Sequence, residues 1–134
     1  MTQQRKLDID IRTVNDISVL ELGDNIDFYN APVFKGVINN MIAQGNKTFI
    51  VNLAKITHID SSGIGALITT MLELEKMGGA LKVSGLSKPV KKVFDMTQAI
   101  TLFEVFDTET EALGSFRVPV KKKSVNNVQM QDNK

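Results

Sequence analysis

An aspartate, two serines and two glycines fall within Asp60–Gly65 of the stretch THIDSSGIGAL (Thr57–Leu67), with His58 just upstream. These residue types suit three different chemistries: a helix cap, a catalytic nucleophile, or a hydroxyl offered to another protein for modification. Asp60, Ser61 or Ser62 can each cap a following helix by accepting an N–H from its first turn, worth about 1 kcal/mol. One such residue is enough for one helix. Gly63 and Gly65 then weaken the first turns by up to about 1 kcal/mol each relative to alanine. They make sense where something approaches the backbone closely, or where the helix packs tightly on a sheet.

His58, Asp60 and Ser61 are also the ingredients of a hydrolase triad, and His58 is the only histidine. A triad needs its three side chains to converge from different segments, and residues this close on one turn are poorly placed to do so. Ile59 stands where a Gly-x-Ser-x-Gly elbow needs glycine. The Gly63-Ile64-Gly65 run lacks the Lys-Ser/Thr that completes a nucleotide phosphate loop. With no cysteine and one histidine, a metal site would need clustered carboxylates, and none stands out. His58 reads as a half-buried loop histidine.

The third chemistry is a binding switch. A phosphate on an exposed serine at a helix N-terminus brings roughly −1.5 to −2 charges. The helix dipole and free first-turn N–H groups favour it locally by about 0.3–1 kcal/mol. The fold therefore survives, but a docked partner would have to desolvate a dianion. An unpaired buried charge costs several kcal/mol, which changes affinity by orders of magnitude.

The elements around this turn can be read from periodicity. Leu7–Thr13 alternates apolar and polar residues, predicting an edge strand with one wet face. Asn15-Asp16 tolerates positive φ and predicts a two-residue hairpin into Ile17–Leu22. Asn30 is placed to cap a first helix with Pro32 in its opening turn. Val33, Phe34, Val37, Ile38, Met41 and Ile42 form that helix's apolar stripe, and Gly45-Asn46 stops it. Phe49–Leu53 is apolar almost throughout, as expected of a central strand covered on both faces. Ile64, Leu67, Ile68, Met71 and Leu74 stripe a second helix, ended by Gly78-Gly79. A short strand ALKVSG, a third helix opening at Ser87-Lys88-Pro89, a strand Leu102–Phe106 and a last helix over TETEALGSF follow. The order predicts an α/β fold: a single mixed sheet, antiparallel in its N-terminal hairpin and parallel afterwards, with about four helices. The second helix then starts at the carboxyl end of the central strand, where open α/β sheets place their functional sites.

The 134 residues are 43% hydrophobic, enough for one domain without disulfides or metal. The domain is expected to span residues 1–116, with a basic, disordered tail over 117–134. From Arg117 onward, Arg117, Lys121, Lys122, Lys123 and Lys134 face only Asp132, a surplus of +4. The whole chain carries +1, which leaves residues 1–116 at about −3. Such a body does not suit nucleic acid, whose phosphates need clustered Lys and Arg. No run approaches ~18 apolar residues, so no membrane span is predicted. The first residues lack a signal peptide's apolar stretch, and a cytoplasmic location is expected.

The run Ile59-Asp60-Ser61-Ser62-Gly63-Ile64-Gly65, between the strand FIVNL and an amphipathic helix, closely resembles the Asp-Ser-Ser/Thr-Gly-Leu-Gly motif of STAS domains, specifically bacterial anti-sigma factor antagonists. GDNIDFYNAPVF is similar to that family's connection into helix 1, with one or two residues more than usual before Asp27. The segment GGALKVSGLSKPVKKVFDMTQAITLFEVFDTETEAL is similar to its closing half. The resemblance implies a STAS-like fold and a non-enzymatic protein without cofactors. Its implied partners are an anti-sigma factor that is also a serine kinase, using ATP and Mg²⁺, and a metal-dependent serine phosphatase. It implies that the unphosphorylated form binds the kinase and releases the sigma factor, and that Ser61 is the phosphorylated residue. Asp27, Asp60, Ser62 and Gly63 are the implied partner-binding residues. The alternatives are a STAS-type sensor binding a small ligand such as a nucleotide at the same turn, or a phospho-switch with a target other than a sigma factor.

Overall fold

The structure, a computed structural model, describes residues 7–117. Of the basic tail predicted over 117–134, Arg117 is the last residue of the final helix, and the rest lies outside these residues. The chain runs β1 (Ile9–Val14), β2 (Ile17–Leu22), α1 (Ala31–Ala43), β3 (Thr48–Asn52), α2 (Ser61–Lys76), β4 (Ala80–Ser84), α3 (Lys88–Met96), a 3₁₀ turn (Ala99–Thr101), β5 (Val105–Phe106) and α4 (Glu109–Arg117). The five strands form one sheet in the order β1-β2-β3-β4-β5, with β1 and β2 antiparallel and every later pair parallel. This is the mixed sheet with four helices that the sequence predicts.

The β1–β2 hairpin turns on Asn15 and Asp16, with φ of 51° and 68°. Positive φ at both positions gives a turn whose twist matches that of the flanking strands. Because strand order then advances in one direction, right-handed crossovers put α1, α2 and α3 on the same face. That face holds the main core: Leu20 and Leu22 of β2, Phe49 and Val51 of β3, and Leu81 and Val83 of β4 meet Phe34, Ile38, Leu67, Met71, Val90 and Phe94. The apolar stripes predicted for α1 and α2 face it.

The opposite face is left to α4. Ile17, Val19 and Ile50 pack there with Ala112. Ile50 points to one side and Phe49 and Val51 to the other, so β3 is covered on both faces as its composition predicts. Polar contacts also hold α4 down. Arg12 of β1 donates to both carboxylate oxygens of Glu109 at 2.7 and 2.9 Å, and Asn52 donates to the same carboxylate at 3.0 Å. The buried Lys82 ammonium lies 4.1 Å from the Phe116 ring centre and donates to Ser115.

The last strand differs from expectation. LFEVF has strand composition, but pairing is confined to Val83 with Val105 and Ser84 with Phe106. Phe103 turns into the core against Phe94, with ring centres 5.8 Å apart, so the chain reaches the sheet only two residues later.

Candidate functional site

β3 delivers the chain to the sheet's carboxyl edge, and α2 begins at Ser61 with Asp60 as its N-cap. Asp60 Oδ1 accepts the Gly63 N–H at 3.0 Å. The cap therefore belongs to Asp60 alone. The hydroxyls of Ser61 and Ser62 have no hydrogen-bond partner among the described residues, and Ser61 is exposed while Ser62 is half-buried.

Asp60 does more than cap. Its Oδ2 accepts the Phe28 N–H at 3.0 Å, joining the head of α2 to the loop before α1. The Asp60 N–H returns a bond to the Ile26 carbonyl at 3.2 Å, and Ile26 and Ile59 form a parallel bridge. Asn25 Oδ1 accepts from the N–H groups of Thr57 and His58 at 2.9 and 3.1 Å. Two loops far apart in sequence thus form a single platform beneath Ser61.

Asp27 belongs to this platform and is half-buried. Its Oδ1 accepts from the Tyr29 and Asn30 N–H groups at 2.9 and 3.1 Å. Asn30 occupies the N-cap position of α1 as predicted, but its side chain does not cap. It accepts from the Asp27 N–H and donates to the Asn25 carbonyl, bracing the loop from inside. The turn that Asp27 makes with its own downstream N–H groups does the ordering expected of a cap.

Gly63 is buried, and the reason is packing. A Cβ there would stand 2.7 Å from Ile59 Cγ1 and 2.9 Å from Ile26 Cγ2, the two residues of the bridge. Gly65 is different, since a Cβ there would meet nothing within 4 Å.

The triad does not assemble. His58 is exposed, not half-buried, because its loop runs over the rim of the sheet. Its Nδ1 lies 3.0 Å from Thr57 Oγ1. The Asp60 carboxylate is committed to backbone N–H groups. Among the described residues no group of three His, Asp or Glu could hold a metal ion, and no helix is long and apolar enough to cross a membrane.

Sequence reasoning missed Asn25 and Phe28. Asn25 acts across the gap between loops, which no local pattern announces. Phe28 is 67% exposed and stacks edge-on against Tyr29, itself 48% exposed. Two adjacent exposed aromatics beside Ser61 are unusual for a free surface and usual for a contact surface. Beside them runs an open groove of about 590 Å³ between α1 and α2, reaching from Phe28 and Ser62 to Asn39 and Thr69.

Residues 8–112 match the STAS domain family. The anti-sigma-B factor antagonist of Staphylococcus epidermidis is 30% identical over 106 residues, covering 78% of this chain and 98% of that protein. That of Bacillus subtilis is 34% identical over 92 residues, covering 68% and 83%. Among solved structures, the anti-sigma factor antagonist SpoIIAA in its unphosphorylated form superposes with a TM-score of 0.72 at 28% identity, over 82% of this chain and 96% of that one. The phosphorylated form of SpoIIAA, described as a Bacillus cell fate determinant, gives 0.66 at 27% identity, over 82% and 100%.

Proposed function

The chain belongs to the STAS domain family and, within it, to the anti-sigma factor antagonists; from that premise we propose that it is a binding switch thrown by phosphorylation of Ser61. Antagonists of this family are regulators and not enzymes, so the chemistry at Ser61 is done to the chain by others. In the proposed cycle the unmodified protein binds an anti-sigma factor that is also a serine kinase, and so frees the sigma factor. The Ser61 Oγ attacks the γ-phosphorus of ATP held with Mg²⁺ by that kinase. The bond to the bridging oxygen breaks, ADP leaves, and the hydroxyl proton passes to a base on the kinase. A metal-dependent phosphatase adds water across the new ester, returning the hydroxyl and releasing inorganic phosphate.

The observation that carries this reading is the division of labour at the head of α2. Asp60 caps the helix, and Ser61 is exposed with an uncommitted hydroxyl. Phosphorylation there breaks no native hydrogen bond, so its effect falls on whatever docks. The new dianion would sit next to the Asp60 carboxylate and on the platform that carries Asp27. A partner covering that surface would bury it unpaired, at a cost of several kcal/mol. Asp27, Asp60 and Ser62 contribute to the docking surface, and Gly63 supports it from below by letting α2 seat on Ile26 and Ile59. That SpoIIAA, at 27–28% identity, is known in both phosphorylated and unphosphorylated forms supports the switch.

Incubation with the cognate kinase and ATP should add one phosphate to the intact mass, and Ser61→Ala should abolish it. In a pull-down, wild type and Ser61→Ala should retain the kinase and Ser61→Asp should lose it. Phosphate incorporation that persists in Ser61→Ala would refute the assignment.

A further inference from the structure

We propose that the groove between α1 and α2 seats an acidic amphipathic helix of the kinase partner, with an apolar side chain over Gly36 and Gly65 and a carboxylate one turn away on Lys35; this rests on the binding-switch reading above. Gly36 and Gly65 lie in helix interiors, where glycine weakens the helix relative to alanine. Neither has a positive φ, and a Cβ at either would meet nothing within 4 Å. Nothing within the fold therefore accounts for them, in contrast to Gly63. Their effect is to open the groove floor, so that another helix can approach two backbones closely.

The chemistry of the lining points to the occupant. Phe28 and Pro32 form an apolar lip at one end, and Phe28 has most of its surface still to bury. Lys35 carries the only charge among the lining residues and makes no ion pair among the described residues. Lengthwise, the wall from Ser62 to Thr69 on α2 covers about two helical turns, roughly 10 Å. A trough of that length between two helices matches one more helix presenting side chains at i, i+3 or i+4, and i+7. The lone cation selects an acidic one.

Charge also connects the groove to the switch. Ser62 lines the groove and Ser61 is its neighbour in the first turn of α2, so a phosphate on Ser61 stands at the groove's mouth. An acidic helix in the groove would be repelled by it, which makes the modification effective without any change of fold.

Binding of the full-length kinase to wild type, Gly36→Leu, Lys35→Glu and Ser61→Asp, measured by titration calorimetry, tests the proposal. Leucine is the better helix former, so Gly36→Leu should melt no lower than wild type while filling the groove. Gly36→Leu and Lys35→Glu should each weaken binding at least tenfold. Affinity of Gly36→Leu within twofold of wild type would overturn the groove proposal, and if Ser61→Asp still fails to bind, the switch stands without it. If Gly36→Leu fails while Ser61→Asp binds normally, the groove stands and the switch falls. Absence of any wild-type binding overturns both, and conversion of a dimer to monomer by Gly36→Leu would assign the groove to a second copy of this chain and overturn the kinase helix.

Discussion

The Asp60 carboxylate holds the Phe28 N–H at 3.0 Å with one oxygen and the Gly63 N–H at 3.0 Å with the other. One side chain therefore sets both the start of α2 and the position of the exposed aromatic loop. Ser61 sits directly after this carboxylate with nothing of its own to hold. The residue beside the Ser61 hydroxyl is the one that organises the surface, and the hydroxyl itself makes no hydrogen bond among the described residues.

Removing the carboxylate should show both roles. Asp60→Ala loses the cap, about 1 kcal/mol, and the link to Phe28, about 0.5–1.5 kcal/mol. Asp60→Asn keeps one acceptor oxygen and should lose roughly half as much. Urea unfolding of the three proteins gives the ordering, and equal stability of Asp60→Ala and wild type would contradict it.

The two glycines of the motif should respond in opposite directions to the same substitution. Gly63→Ala drives a methyl into Ile59 and Ile26, which the bridge holds in place. Overpacking of that kind costs about 1–3 kcal/mol, more than the helix propensity it gains. Gly65→Ala meets open space and should stabilise by up to about 1 kcal/mol. Thermal melts of the pair decide the matter, and a destabilised Gly65→Ala would show that the position is constrained by something within the fold.

Much of this architecture was legible because its signals are local. Alternation marked β1, the 3.6-residue stripes marked α1 and α2, and Asn15-Asp16 fixed the hairpin. The Asp60-Ser61-Ser62-Gly63 turn could be located at the head of α2 from residue types alone. Which of its three polar residues capped the helix could not, because that depends on the backbone geometry of a turn. The β5 error has the same root: LFEVF has the composition of a strand, and only the pull of the core on Phe103 shortens it. Asn25 and Phe28 were hidden for a different reason. Their bonds cross between loops about 32 residues apart, and no periodicity records a contact of that kind.

The hairpin offers a test of local strain. Asp16 holds φ at 68°, a left-handed conformation that costs a residue with a Cβ about 1 kcal/mol. Asp16→Gly creates the Asn-Gly pair that two-residue hairpins favour. It should raise stability by a few tenths of a kcal/mol, the relief of strain being partly offset by the freedom glycine adds to the unfolded chain. The melting temperature is the readout, and a fall would mean that the Asp16 side chain contributes more than its backbone strain costs.

The attachment of α4 should depend on pH through Glu109. The hydrogen bonds from Arg12 hold this carboxyl below its ordinary value of 4.5, with the Asn52 amide and the Arg12 charge adding to them and burial opposing them. A carboxyl whose pKa is depressed in the folded state binds fewer protons there than in the unfolded chain, so stability rises with pH across the interval between the two values. The contribution is complete above about pH 4.5 and disappears as pH falls through the lower, folded-state value. Arg12 remains protonated throughout, since its own pKa is pushed further up by Glu109 and Asp10. The pair is bidentate but partly solvent-exposed, with the side chains 39% and 21% accessible, so its worth at neutral pH is about 1 kcal/mol and not the several expected of a sealed pair. Glu109→Gln should accordingly be about 1 kcal/mol less stable than wild type at pH 7. The two should converge as pH falls below the ordinary carboxylate range. Parallel unfolding curves at pH 7 and pH 3 measure this, and a gap that stayed constant between them would show that Glu109 holds α4 by shape and not by charge.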